Sequence, residues 1–336
     1  MEKIPEKRGA KMKIAVYCVS DENYIKPSIV ALKSFKVTNP EVDLFIVSDA
    51  IDKIGERVKK TLLDENIEIL DPKFRGRFKK SQKWPEEVFW VLGIPEILYE
   101  KGYNYSITID ADILCKKNMG LKNLTKNIEF VGAIKDELEL GQMLNDKEFL
   151  NEEYGLKTSD YNMESPNTGF MIYNNRYCHE NKIFEKHCNL FNNLEEKNSI
   201  ENVFADQGLL GLLIKVYNLS FYQLDRSYNF MVHEYDAYKY INSDIKFIHY
   251  TSGMKPWHSL KLGYIRRNPT LYYFRKDWNK FVDEYTGFNR DLSYKDEKNK
   301  KNEYKIKDIL DIPLESLVMN VWLPFWIKKH EKRGNL

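Results

Sequence analysis

Short apolar runs rich in β-branched residues alternate with segments whose apolar residues recur at helical spacing through about three-quarters of the chain. The runs are nearly continuous in apolar residues, as in strands buried on both faces of a sheet. This alternation predicts an α/β fold with a doubly wound, mostly parallel sheet flanked by helices. The predicted strands are 13–19, 44–47, 67–70, 105–109, 130–134, 169–173 and 245–250, and the predicted helices are 27–36, 56–63, 85–99 and 207–216.

The alternation stops near Tyr264, which divides the chain into a polar leader (1–12), an α/β domain (13–264) and a C-terminal extension (265–336). Segment 136–165 is polar and irregular, and we expect a loop or lid there. The extension is strongly charged over 291–307 and ends in apolar, aromatic residues beside a basic cluster. That tail could lie on an anionic membrane surface or pack back as a terminal helix.

Composition narrows the class of protein. A formal charge of +2 over 336 residues gives no electrostatic footprint for nucleic acid. The four cysteines lie far apart and without a CxxC pair, which is typical of buried thiols in a reducing compartment. Residues 1–11 lack the apolar stretch of a signal peptide, and no run approaches the ~20 apolar residues of a membrane span. We therefore expect a cytoplasmic protein, with peripheral contact at the inner face of a membrane as an option for the tail.

Two carboxylates follow the predicted strand 105–109 in the DxD motif Asp110-Ala111-Asp112. Alternation directs both side chains to one side if the backbone stays extended. Ligand sites in open α/β sheets lie at the carboxyl ends of strands. The pair could hold a hard divalent ion, which would in turn bind a diphosphate.

A second polar segment, 249–257, follows the last predicted strand. His249 has the ligand softness that suits manganese better than magnesium. Gly253 would let the backbone approach a phosphate, and Lys255 would supply a point charge to it. Each residue alone has an ordinary structural explanation, but together they favour a phosphate-binding site.

The DxD motif together with 249–257 resembles the retaining glycosyltransferases of family 8, which include glycogenin, plant galactinol synthases and bacterial lipopolysaccharide galactosyl- and glucosyltransferases. Three further segments resemble that family in the same order: 20–24, 167–169 and 205–210. The resemblance extends over roughly 13–258. It implies a GT-A type, Rossmann-like catalytic domain and a C-terminal helical extension.

The resemblance also implies roles for individual residues. A manganese ion, with magnesium as the alternative, would be bound by Asp110, Asp112 and His249 and would grip both phosphates of UDP. Tyr24 would stack on uracil, with Asp21 and Asn23 near the base and ribose. The Gly253 turn and Lys255 would hold the diphosphate.

The donor sugar would lie against a further set of residues: Asp136, Asn167, Gly169, Asp206 and Gln207. Asp206 and Gln207 are the candidate catalytic residues, and Gln207 would be nearest the anomeric carbon. An amide is a poor nucleophile, so we favour front-face departure and attack over a covalent intermediate. Two departures from the family pattern are Ser252, where a glycine is common, and the lack of a basic residue in 89–97, for which Lys80 or Lys83 could substitute.

The implied activity is transfer of a hexose with retained anomeric configuration. UDP-glucose and UDP-galactose are the leading donors, and the acceptor is a glycan, a glycolipid or a protein. Two other interpretations stay open at this stage. One is a sugar-phosphate nucleotidyltransferase, although 18–23 lacks the usual glycine- and lysine-rich loop. The other is a non-catalytic protein that binds a membrane surface through its tail.

Overall fold

The computed structural model describes residues 12–78, 84–200, 203–233, 237–240, 243–251, 255–258 and 269–288. Within these residues, seven strands form the main sheet and three form a second sheet. The main-sheet strands are β1 (Ile14–Val19), β2 (Asp43–Val47), β3 (Ile67–Leu70), β4 (Tyr105–Ile109), β6 (Val131–Glu139), β7 (Glu164–Asn174) and β8 (Phe221–Gln223). The second sheet contains β5 (Ile113–Cys115), β9 (Phe230–Met231) and β10 (Phe247–His249).

The main sheet has the strand order β3-β2-β1-β4-β7-β6-β8. Pairing is parallel from β3 to β4, antiparallel on both sides of β7, and parallel again between β6 and β8. β7 is therefore the one reversed strand among those described in this sheet. This confirms the predicted α/β fold with a mostly parallel sheet.

Helices cover both faces of the main sheet, as predicted. The described α-helices are α1 (Ile25–Thr38), α2 (Glu56–Asp64), α3 (Ile94–Glu100), α4 (Leu121–Leu124), α5 (Leu140–Met143), α6 (Lys147–Tyr154), α7 (Asn175–Glu180), α8 (Ile183–Glu196), α9 (Ala205–Val216) and α10 (Pro269–Tyr285). Alternate residues of β1 enter opposite cores: Tyr17 packs in the cluster that holds α8 and α9, and Val16 in the cluster that holds α1 and α2. Strand alternation thus builds two cores from one buried strand.

The second sheet positions the end of β4. The chain leaves β4 through Asp110–Asp112 and enters β5, which pairs antiparallel with β10. β10 pairs in turn with β9. Residues distant in sequence are thereby brought to the carboxyl end of β4.

Three local predictions need correction. Segment 136–165 is not a loop, because β6 runs to Glu139, α5 and α6 follow, and β7 begins at Glu164. Most of its polar residues lie on exposed faces of regular elements, so polarity was a poor guide to irregular structure. The helix predicted for 85–99 is a 3₁₀ helix over Glu86–Gly93 followed by α3, with Pro95 at the start of α3. The strand predicted for 245–250 is shorter in the structure, where β10 contains only Phe247–His249.

The described part of the C-terminal extension is a helix that packs on the α/β domain. Trp278 and Phe274 of α10 are buried in one hydrophobic cluster with Val30 of α1, Leu114 of β5 and Tyr250. No helix among the described residues is both long and apolar enough to cross a bilayer. Segment 289–336, including the apolar and basic tail, lies outside the described residues.

Candidate active site

The two DxD carboxylates are carried by a turn between the sheets. The N–H of Asp110 donates to Gly169 O at 2.9 Å and so extends the pairing of β4 with β7. The chain then turns, with Ile113 N donating to Asp110 O at 3.2 Å. The backbone of the motif is therefore a turn and does not stay extended, because the chain leaves one sheet and enters the other. The turn leaves half of the Asp110 side chain exposed (54%), whereas Asp112 is buried (4% exposed).

The second sheet brings His249 to these carboxylates. His249 lies opposite Ile113 in the β5–β10 pairing, and Tyr250 N donates to Asp112 O at 2.9 Å. His249 Nε2 is 3.4 Å from Asp110 Oδ2 and 3.3 Å from Asp112 Oδ1. One ligand atom from each of the three side chains falls within 4.8 Å of the others. Two carboxylate oxygens and one imidazole nitrogen are a suitable donor set for a manganese ion.

The opposite charges around Asp112 and His249 favour the ionised form of both side chains. Burial alone would raise the pKa of Asp112, but the charges of His249 and Lys255 hold that pKa well below its usual range. Burial opposes a charge on the His249 ring, yet Asp112 and Asp110 raise its pKa to about 9. The positive charges of His249 and Lys255 therefore balance the two carboxylates, which is the role that a bound metal cation would also have.

Lys255 belongs to this cluster through its contact with Asp112, with Nζ 2.5 Å from Asp112 Oδ2. Its short loop, 255–258, is fixed by α10. Arg275 Nε donates to Pro256 O at 2.6 Å, and the Trp257 ring lies 5.3 Å from the Trp278 ring, centroid to centroid. The C-terminal helix therefore positions the lysine beside the DxD motif.

The predicted nucleotide residues lie where β1 ends and α1 begins. Asp21 Oδ1 accepts hydrogen bonds from Asn23 N at 2.9 Å and Tyr24 N at 3.1 Å, which fixes the turn into α1. Tyr24 is 39% exposed, and its ring meets that of Trp257 edge-on at 6.1 Å. Tyr24 therefore offers an open aromatic face beside the Lys255 loop.

The predicted sugar residues are connected by hydrogen bonds. Asn167 Nδ2 donates to Asp136 Oδ2 at 2.7 Å and lies 3.4 Å from Gln207 Oε1. Gly169 N donates to Asn167 Oδ1 at 3.0 Å. Burial, and then the charge of Asp110, raise the pKa of Asp206 to about 7. β6, β7 and the start of α9 therefore place a polar group of four side chains next to the DxD turn.

Asn229 is a buried polar residue of the site, and no local sequence pattern singles it out. It lies immediately before β9 and is 0% exposed. Its Oδ1 is 2.9 Å from His249 Nδ1, and its Nδ2 donates to Asn167 Oδ1 at 2.7 Å. Its surroundings in sequence are irregular, and only the pairing of β9 with β10 brings it to His249.

A cavity of about 950 Å³ joins these groups. Of the predicted site residues, it is lined by Asp21, Tyr24, Asp110, Asp112, Asp136, Asn167, Gly169, Asp206, Gln207, His249 and Lys255. Asn23 does not line it, because its side chain hydrogen-bonds Asp21 instead. Trp84 and Phe204, which were not predicted, form an aromatic pair on its wall. The remaining candidates, Gly253, Ser252, Lys80 and Lys83, lie outside the described residues.

The need for a glycine at position 169 is explained by the close approach of β7 to the His249 ring. A Cβ atom at this position would lie 2.1 Å from His249 Cε1, far inside contact distance. Glycine is therefore required if the ring is to stay against the two carboxylates.

Comparison with known proteins agrees with this geometry. The model of the family described as glycosyl transferase family 8 matches residues 15–261. The lipopolysaccharide 1,2-glucosyltransferase of Escherichia coli is 24% identical over 274 residues, which cover 77% of each protein. The galactosyltransferase LgtC, solved with donor and acceptor sugar analogs, has a TM-score of 0.55 at 17% identity, covering 87% of this chain and 99% of LgtC.

The apo structure of the bifunctional glycosyltransferase WbbM has a TM-score of 0.60 at 16% identity. The match covers 85% of this chain and 52% of WbbM, so this chain spans about half of that protein. At such identities the solved structures establish a shared fold.

We predict that Gly169→Ala displaces the His249 ring and weakens Mn²⁺ binding at the cluster by about tenfold or more. The matched control is Gly55→Ala, because a Cβ at Gly55 would meet nothing within 4 Å. Isothermal titration of each variant with Mn²⁺ gives the comparison. Equal affinities for the Gly169 variant and the unmodified protein would show that the ring position does not matter.

Proposed function

This chain belongs to glycosyltransferase family 8, and we propose that it transfers glucose or galactose from a UDP-hexose to an acceptor hydroxyl with retention of anomeric configuration. The observation that carries the proposal is the convergence of two chemistries in one cavity. Asp110, Asp112, His249 and Lys255 lie at one part of its wall, next to the polar group around Asn167. The first set suits a diphosphate and the second suits a hydroxyl-rich sugar. The family match favours this reaction over the nucleotidyltransferase and the non-catalytic membrane protein considered above.

The residues present fit a divalent ion. Asp110, Asp112 and His249 would hold it, because their ligand atoms converge and the two carboxylates are already matched by cationic partners. Manganese suits the mixed oxygen and nitrogen donors, and magnesium is the alternative. When bound, the ion would neutralise negative charge on the UDP diphosphate.

The other residues bind and orient the donor. Tyr24 would stack on uracil through its open face, and Asp21 would lie near the base and ribose. Lys255 already contacts Asp112 and is positioned to contact the diphosphate when the donor enters. Its charge would stabilise the charge that develops on UDP as the bond to the sugar breaks. Gly253 is proposed to shape the same phosphate contact.

The bond that breaks joins the anomeric carbon to the β-phosphate oxygen, and its electron pair leaves with UDP. The bond that forms joins the acceptor oxygen to that carbon on the same face. The acceptor proton passes to the departing phosphate. Gln207 would lie nearest the anomeric carbon. Because its amide is a poor nucleophile, we assign it a stabilising role and not a covalent one. Asp136, Asn167, Gly169 and Asp206 would hold the sugar, and a glycosyl adduct trapped on Asp206 or Gln207 would contradict this route.

The acceptor proposed here is a glycan or glycolipid, most directly one of the lipopolysaccharide kind, with a protein as the alternative. Support comes from the name of the Escherichia coli relative, a lipopolysaccharide glucosyltransferase. The aromatic pair of Trp84 and Phe204 supplies apolar ring faces on the cavity wall against which an acceptor sugar could lie. We propose that the reaction takes place in the cytoplasm, with contact between the 317–336 tail and a membrane as the alternative to packing of that tail on the protein.

We predict that UDP is released from UDP-glucose or UDP-galactose in the presence of Mn²⁺, and that chelation abolishes the release. Asp112→Ala should lower the rate by about 100-fold or more, because the metal loses a buried ligand. Asp64→Ala, at an exposed carboxylate at the end of α2, is the control and should retain the full rate. Turnover that is indifferent to both chelator and Asp112 would contradict the proposed metal-dependent transfer.

We also predict that Mn²⁺ binding displaces a proton from His249. The ring is charged below its pKa of about 9 and must be neutral to ligate a metal, whereas Asp112 is already ionised. Between pH 6 and 9 the Mn²⁺ affinity should therefore rise by up to about tenfold per pH unit. Titration calorimetry in buffers of different ionisation enthalpy measures the protons released. Release of none at neutral pH would contradict ligation by a His249 ring that is charged in the metal-free protein.

A further inference from the structure

The buried network between the sugar residues and His249 fixes the direction of every hydrogen bond in it. Two of its members have only one possible role. Gly169 N–H is a backbone donor, so the Asn167 atom 3.0 Å away must be the carbonyl Oδ1. The Asp136 carboxylate is an acceptor when ionised, so the Asn167 atom 2.7 Å from it must be the amide Nδ2. The orientation of the Asn167 side chain follows from these two contacts.

The orientation of Asn229 follows from that of Asn167. Asn167 Oδ1 can only accept, so the atom of Asn229 that lies 2.7 Å from it is the donor Nδ2. Asn229 Oδ1 is then the atom that faces His249 Nδ1 at 2.9 Å. A carbonyl oxygen accepts, and therefore Nδ1 carries a proton. In the neutral ring this leaves the lone pair on Nε2, the nitrogen that faces Asp110 and Asp112.

We propose that Asn229 is a positioning residue that holds His249 in the tautomer whose Nε2 is free to bind the metal. This inference rests on the proposed metal site but adds a residue and a role to it. Asn229 does so from a buried position, where no water competes for its oxygen. Its second bond, to Asn167, makes the tautomer depend on a residue that the donor sugar would contact.

Two substitutions separate the two bonds of Asn229. Asn229→Leu keeps a similar volume but removes the acceptor for Nδ1–H, and we expect a ~10–100-fold loss of Mn²⁺ affinity. Asn229→Asp keeps an acceptor for Nδ1–H, but its second oxygen replaces the donor that faces Asn167 Oδ1, so that bond is lost and two acceptors face each other there. It should bind Mn²⁺ within about threefold of the unmodified protein, since a carboxylate partner also orients a metal-binding imidazole.

The matched control is Asn175→Leu. Asn175 is also an asparagine of 0% exposure with two side-chain hydrogen bonds, to Ser106 Oγ at 2.6 Å and Tyr103 O at 3.0 Å. It lies at the opposite end of β4 and β7 from the DxD turn. Loss of this buried asparagine should lower the thermal unfolding temperature while leaving Mn²⁺ affinity unchanged. Equal loss of affinity in the Asn175 and Asn229 variants would overturn the proposal.

The deciding experiment is a long-range ¹H–¹⁵N spectrum of the full-length, metal-free protein in alkaline buffer, where the His249 ring is neutral. The expected result is a proton on Nδ1 in the unmodified protein and in Asn229→Asp, and a mixture of tautomers in Asn229→Leu. A proton on Nε2 in the unmodified protein would overturn the inference. A proton on Nδ1 in a protein that binds no Mn²⁺ would support the role of Asn229 and contradict the proposed metal site.

Discussion

The ionic contact of buried Asp112 with His249 and Lys255 is the interaction on which the site depends. A buried carboxylate is costly unless its charge is matched and its oxygens are hydrogen-bonded. The fold supplies one partner from β10 and the other from the 255–258 loop, both more than a hundred residues away in sequence. The turn between β4 and β5 places Asp112 within contact distance of both partners. A cation bound at the same place would meet ligand atoms that already converge, and it would displace the proton from His249.

The same arrangement explains why the described C-terminal helix is part of the catalytic unit. α10 buries Trp278 against Trp257 and Tyr250, and Arg275 fixes the backbone of the Lys255 loop. These contacts act on Tyr250, next to His249, and on the 255–258 loop that carries Lys255. We therefore propose that 13–264 and the helix at 269–285 fold as one unit, with the division near residue 264 marking a change of composition. The hydrophobic cluster they share supports this view.

Periodicity was sufficient to predict six of the seven described strands of the main sheet, because buried strands leave strong local patterns. The seventh, β8, is a short strand with mostly exposed residues and was missed. The DxD motif and His249 could be selected from sequence because each lies at the end of an apolar run. Other features depend on long-range pairing and had no local signal. Asn229 reaches the site through the β9–β10 ladder, Asp112 is buried by a turn in place of an extended strand, and Asn23 turns back on Asp21. Regular structure in 136–165 was missed because its exposed faces are polar.

We propose that one divalent ion binds between Asp110, Asp112 and His249, at the position where the UDP diphosphate would lie. Anomalous diffraction at the manganese edge, from crystals grown with Mn²⁺ and UDP, would locate this ion. We expect one strong peak within bonding distance of both carboxylates and His249 Nε2, adjacent to both phosphates. His249 Nδ1 should keep its contact with Asn229. A peak elsewhere in the cavity, or UDP bound with no peak at this cluster, would contradict the proposed metal site.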